Sequence, residues 1–109
     1  MKGRIILIPF ELTDFSSSKL RPALVLHERI DDVVICFITS RDTPVSPDYI
    51  VKVPKTHTEF SQTRLRDSSI FILDKVFTIH NSLIKTKLGK VGPKLKEEIN
   101  SKLQNIFFL

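Results

Sequence analysis

Two short groups of residues could do chemistry. Arg21-Pro22 opens the apolar run ALVLH at 23–27, directly behind a serine-rich stretch, and Thr39-Ser40 closes the next apolar run, VVICFIT at 33–39. A guanidinium stays charged at any working pH and can bond two phosphate oxygens at once. A hydroxyl can donate to a phosphate oxygen or orient a neighbouring hydroxyl, although unaided it is a poor base. Pro22 fixes its own φ and biases Arg21 towards extended backbone, so the cation would project from a stiff strand end. Taken alone, the same residues also describe a surface arginine beside a turn proline and a hydroxyl capping a strand end. Lys19, Arg41, Arg64 and Arg66 lie in or beside the surrounding loops. Cations there would give phosphate contacts that weaken with salt. Phe15 and Phe60 are candidate surfaces for base stacking.

Other chemistries find little support. The single cysteine, Cys36, cannot form an internal disulfide, and its apolar surroundings read as a buried, unreactive thiol in a reducing compartment. His27, His57 and His80 are scattered, with no spacing that selects one as a base or as a metal ligand. The three glycines form no G-x-G array for a phosphate loop. No cofactor or metal is expected. The net charge of +5 points to a polyanionic partner, with nucleic acid first and an acidic protein segment second. The N-terminal run IILIPF lacks the cleavage site of a signal peptide, and no stretch reaches the ~20 apolar residues that cross a bilayer. A cytoplasmic protein with no membrane partner is expected.

The elements that must position these groups are mostly strands. Runs at 4–10, 23–27, 33–39 and 49–53 are short, apolar or β-branched, and bounded by turn residues. Near-continuous apolarity in the first three predicts strands covered on both faces or closed into a small barrel, whereas 49–53 alternates more, as a half-exposed strand would. The runs 69–73 and 75–79 have only Asp74 between them, too little for a hairpin turn, which predicts one bent or bulged strand. Three loops, at 11–20, 40–48 and 54–66, carry most of the polar candidates. After Gly92 the period changes: Pro93 suits a first helical position, and Leu95, Ile99, Leu103 and Ile106 recur at helical spacing. Lysines 85, 87, 90, 94 and 96 read as a solvated face. At 109 residues the chain suits a single domain, 1–109, a mostly β barrel capped by a C-terminal amphipathic helix.

The line KGRIILIPFELTDFSSSKLRPALVL, followed by FITSR, LRDSSIFILDKVFTI and KLG, resembles the PemK/MazF family of bacterial toxins from Lys2 to Gly89. The resemblance implies a small SH3-like β-barrel, a homodimer, and an acidic cognate antitoxin that blocks an RNA groove. It also implies metal-free endoribonuclease cleavage of single-stranded mRNA, leaving 2′,3′-cyclic phosphate and 5′-hydroxyl ends. Arg21 and Thr39 fall on positions the family uses for catalysis, with Ser40 beside them. Asp74 matches an aspartate used by some plasmid-borne relatives, although Ile72 replaces the arginine that precedes it there. Phe77 stands where many relatives have a basic residue. Two other readings stay open: a non-enzymatic toxin directed at a protein such as DNA gyrase, and an inactive relative that binds only antitoxin.

Overall fold

In the computed structural model, which describes residues 1–9, 11 and 19–109, the strands form one antiparallel sheet. They are β1 (Arg4–Pro9), β2 (Leu20–Glu28), β3 (Asp32–Thr39), β4 (Ile50–Val53), β5 (Ser69–His80) and β6 (Thr86–Lys90). The order across the sheet is β4-β5-β3-β2-β1-β6, so β4 and β6 are the two edges of a curled half-barrel. A short helix α1 (Phe60–Thr63) precedes β5, and the amphipathic helix α2 (Pro93–Ile106) follows β6. No helix of the described residues is long and apolar enough to cross a membrane.

The continuous apolar runs are explained by a sheet buried on both sides. Alternation sends Ile5, Leu24, Cys36, Ile38, Phe71 and Leu73 to one face, where Leu95 and Ile99 of α2 close the core. Their chain neighbours Ile6, Val25 and Ile35 point to the opposite face and pack with Leu83 and Ile84. Cys36 is fully buried, and burial pushes its thiol up to about 12, so it stays protonated. β5 is the single irregular strand that the sequence predicts. Its register against β3 shifts between Cys36, opposite Val76, and Phe37, opposite Ile72, and the intervening residues 73–75 form a bulge containing Asp74.

Three elements depart from the sequence expectation. β2 starts at Leu20, so Arg21 and Pro22 belong to the strand itself, paired with Ile8 and Leu7 of β1. The loop at 54–66 contains α1, because its residues pack on the core: Phe60 and Leu65 are partly buried against it. Phe60 is therefore half-buried against the core, and it is not among the described residues lining the groove below. The lysine-rich stretch TKLGK is the edge strand β6, held by β1 with a shift between Ile5 and Ile6.

Glycine and a carboxylate attach the helical parts to the sheet. A Cβ on Gly89 would overlap the backbone of Thr63, so β6 can press against the end of α1 only with glycine there. Glu59, buried to 6% exposure, accepts the amides of Lys94 (3.0 Å) and Leu95 (2.8 Å) and so caps α2 from outside its own chain segment. At the other end, Lys102 Nζ donates to the carbonyls of Pro47 (2.8 Å) and Ile50 (2.7 Å). Burial raises the Glu59 pKa, but the two amide bonds, with His57 and Lys94 nearby, outweigh it and leave the carboxyl below its ordinary 4.5.

Two outcomes are expected. A lowered folded-state pKa means that the Glu59 cap contributes fully above the ordinary carboxylate value and is lost as pH falls through the lowered one. Thermal melts should therefore lose stability on acidification, and Glu59→Gln should melt lower at neutral pH with a shallower acid decline. An acid profile identical to wild type would refute the capping role. Gly89→Ala should destabilise by roughly 1–3 kcal/mol in urea titration, because the overlap is with backbone that must move.

Candidate nucleic-acid interface

The sequence places a proline inside β2, and that proline decides where the sheet opens. Pro22 pairs with Leu7 of β1 although it has no amide hydrogen, so its nitrogen faces the other way, towards β3. There it has nothing to donate, and the β2–β3 ladder ends at Ala23 opposite Phe37. Past that end lies a groove of about 740 Å³, with residues 19–22 on one bank and residues 38–41 on the other. The third bank is residues 64–67, the turn that Gly89 allows to approach β6.

The groove gathers seven of the residues singled out in the sequence. Arg21, Thr39 and Ser40 line it together with Lys19, Arg41, Arg64 and Arg66. Alternation puts Arg21 on the same side of β2 as Ala23, and Thr39 on the same side of β3 as Phe37. Continuing the register past the last pair aligns Arg21 with Thr39. The Arg21 guanidinium carbon lies 5.0 Å from the Phe37 ring centroid, a cation–π contact. Thr39 Oγ1 accepts the amide of Arg41 at 3.1 Å, the strand-end role its type suggests, and its own O–H remains able to donate. Asp74 is exposed in the β5 bulge and does not line the groove, and Phe15 lies outside the described residues.

Local structure fixes the basic third bank. Thr63 Oγ1 donates to the Phe60 carbonyl (2.6 Å) and accepts the Leu65 amide (3.2 Å), tightening the turn after α1. Arg64 caps that helix at φ 60°, a left-handed conformation favouring glycine, and its amide bonds the Ser61 carbonyl at 3.2 Å. A cation held where glycine would be easier suggests that its charge has a use. Among the described lining residues five are cationic against one carboxylate, Asp67, whose oxygen lies 3.6 Å from Lys55 Nζ. Apolar Leu7, Leu20, Leu65 and Leu88 floor the space between the charges. Phe37, which underlies Arg21, reads in sequence only as core. The signal was present in the two-residue spacing to Thr39, but its partner strand was not.

Two of the three histidines have partners elsewhere in the fold. His57 Nδ1 accepts the Glu59 amide at 3.0 Å and His80 Nδ1 lies 2.8 Å from Ser82 Oγ. No histidine is among the described lining residues, and no group of three or more potential metal ligands occurs among the described residues. The arrangement can grip phosphates and present a guanidinium and a hydroxyl to one of them.

Several solved structures share this architecture. An endoribonuclease in complex with its cognate antitoxin, from a mycobacterial species, aligns at 18% identity with a TM-score of 0.73 over 100% of this chain and 95% of that one. The Mycobacterium tuberculosis toxin MazF-mt6 aligns at 18% identity and TM-score 0.73, over 97% of each chain. The MazE-MazF structure from Deinococcus radiodurans gives 19% identity and TM-score 0.71, over 99% of this chain and 94% of that one. No curated protein sequence matches the chain. The family model described as PemK-like, MazF-like toxin of type II toxin-antitoxin system matches residues 1–107. With nearly every residue matched, this chain belongs to that family of toxins.

Proposed function

We propose that the protein is an endoribonuclease that cuts single-stranded RNA without a metal ion. The observation behind this reading is that Arg21 and Thr39 share the mouth of a groove otherwise rich in cations. In the reaction, the 2′-oxygen attacks the adjacent phosphorus, its proton passes to a base, and the bond from phosphorus to the 5′-oxygen breaks. That oxygen takes up a proton, leaving a 2′,3′-cyclic phosphate and a 5′-hydroxyl. Arg21 binds the phosphorane oxygens, where a fixed donor is worth ~3–4 kcal/mol. Thr39 donates its O–H to the same phosphate or to the 2′-oxygen, and Ser40 stands beside it at the exposed edge. Lys19, Arg41, Arg64 and Arg66 hold the flanking phosphates.

Two partners accompany this reading. An acidic antitoxin segment would neutralise the groove cations and exclude RNA, in keeping with the antitoxin complexes of the similar structures. A homodimer would place two such grooves in one particle, which light scattering at micromolar concentration should detect.

Long single-stranded RNA incubated in EDTA should be cut at discrete sites, and Arg21→Ala should lower the rate by about 10²–10³-fold. Cleavage that EDTA abolishes, or that survives Arg21→Ala, overturns the mechanism. Intact RNA together with arrested gyrase turnover would point to a protein-directed toxin. RNA affinity should fall with salt at a log–log slope of up to about −3.5 if all five cations engage, near −0.7 for each. Arg64→Gly separates charge from fold: it relieves the left-handed strain, raising stability by up to about 1 kcal/mol, while weakening RNA binding and flattening the salt slope.

A further inference from the structure

Phe37 and Phe77 form a ladder with Arg21 that none of these roles uses. The Phe37 ring lies 5.0 Å from the Arg21 guanidinium carbon and, centroid to centroid, 5.0 Å from the Phe77 ring, at a tilt of 53°. Both rings stand on paired strands, Phe37 opposite Ile72 and Phe77 opposite Ile35, so neither depends on loop conformation. Phe37 is half-buried and packs against the second core cluster, whereas Phe77 keeps 44% of its surface in solvent.

Among the described lining residues of the groove there are charged groups, hydroxyls and aliphatic side chains, but no aromatic ring. Sequence choice on single-stranded RNA relies on unstacked bases laid on such rings. Among the described residues, Phe77 is the one exposed large hydrophobic residue with a ring contact leading to Arg21. Two steps of 5.0 Å separate its ring from the guanidinium, a reach comparable to that of one nucleotide from phosphate to base. We propose that Phe37 is the positioning residue for Arg21, and that Phe77 is the platform on which the base next to the scissile phosphate stacks. This rests on the RNA-cleaving reading above.

Phe37 acts through geometry. A guanidinium lying on a ring face loses rotamers that would swing it away from the phosphate. Loss of the ring should therefore fall on kcat, because a misaimed arginine still attracts the phosphate. Loss of Phe77 should fall on affinity and sequence preference.

The chain contains no tryptophan, so Phe77→Trp installs a single tryptophan, excited selectively over the one tyrosine, at the proposed platform. A single strand with deoxyribose in place of ribose cannot be cut and serves as the binding probe. Its binding, followed by anisotropy, should quench the tryptophan in step with saturation. Phe77→Leu should weaken binding by about 5- to 100-fold and change the pattern of cut sites. Phe37→Leu should lower kcat by about 5- to 30-fold with KM little changed, and Phe37→Tyr should restore most of it. Binding without quenching, or a Phe77→Leu variant that loses dimerisation but keeps RNA affinity and cut sites, overturns the platform. A Phe37→Leu rate equal to wild type, or a loss that follows a lowered melting temperature and that tyrosine fails to rescue, overturns the positioning role. Binding with quenching but no cutting by wild type removes the nuclease reading and keeps the platform. A wild type that neither binds nor cuts removes both.

Discussion

The site depends on an amide hydrogen that Pro22 does not have. An antiparallel strand bonds its two neighbours alternately, and the pairing of Pro22 with Leu7 leaves its nitrogen turned towards β3. A residue with a donor there would let the ladder run on past Phe37 and zip Arg21 against Thr39 as ordinary cross-strand neighbours. Instead the ladder stops at Ala23, β1 keeps hold of the other side of β2 as far as Leu20, and the space beyond becomes a groove. The same residue stiffens the backbone at its own φ and at the arginine before it. One side chain both ends the pairing and holds the cation at the edge it creates.

The opposite bank is held by contacts distant in sequence. The turn at 64–67 approaches β6 because Gly89 has no side chain to fend off the Thr63 carbonyl, and α2 is seated by Glu59 from just before α1. The basic turn, the edge strand and the C-terminal helix are thus one mechanical unit. Within it Arg64 occupies a backbone conformation that glycine would adopt more easily. Local backbone preference there favours glycine, and a groove-lining cation stands in its place.

Much of this was legible in the sequence, for physical reasons that differ by element. The strands and α2 could be read because burial imposes a period, and the β5 bulge because a one-residue gap forbids a hairpin. Arg21, Thr39 and the loop cations could be read as a set because their types suit one chemistry and they cluster at strand ends. β6 and α1 were hidden. TKLGK has one half-buried apolar residue, Leu88, and its strand state comes from pairing with β1 rather than from its own propensity. α1 is a single turn, too short to show a period. The Glu59 cap spans 36 residues from Glu59 to Leu95, and no local pattern encodes such a bond.

The arrangement of charge follows from the same division between paired and unpaired backbone. Where the ladder is complete, both sheet faces are filled by apolar side chains that leave no room for ions. The five cations among the described lining residues can therefore converge only beyond the end of pairing, where water and a polyanion have access. Solvent alone would leave those long side chains mobile. Arg21 lies over Phe37, which faces that end of the ladder, so the packed sheet extends its order to this cation. The last residue pair of β2 and β3 thus fixes one cation at the rim of the groove, as the proposed hold on a scissile phosphate requires.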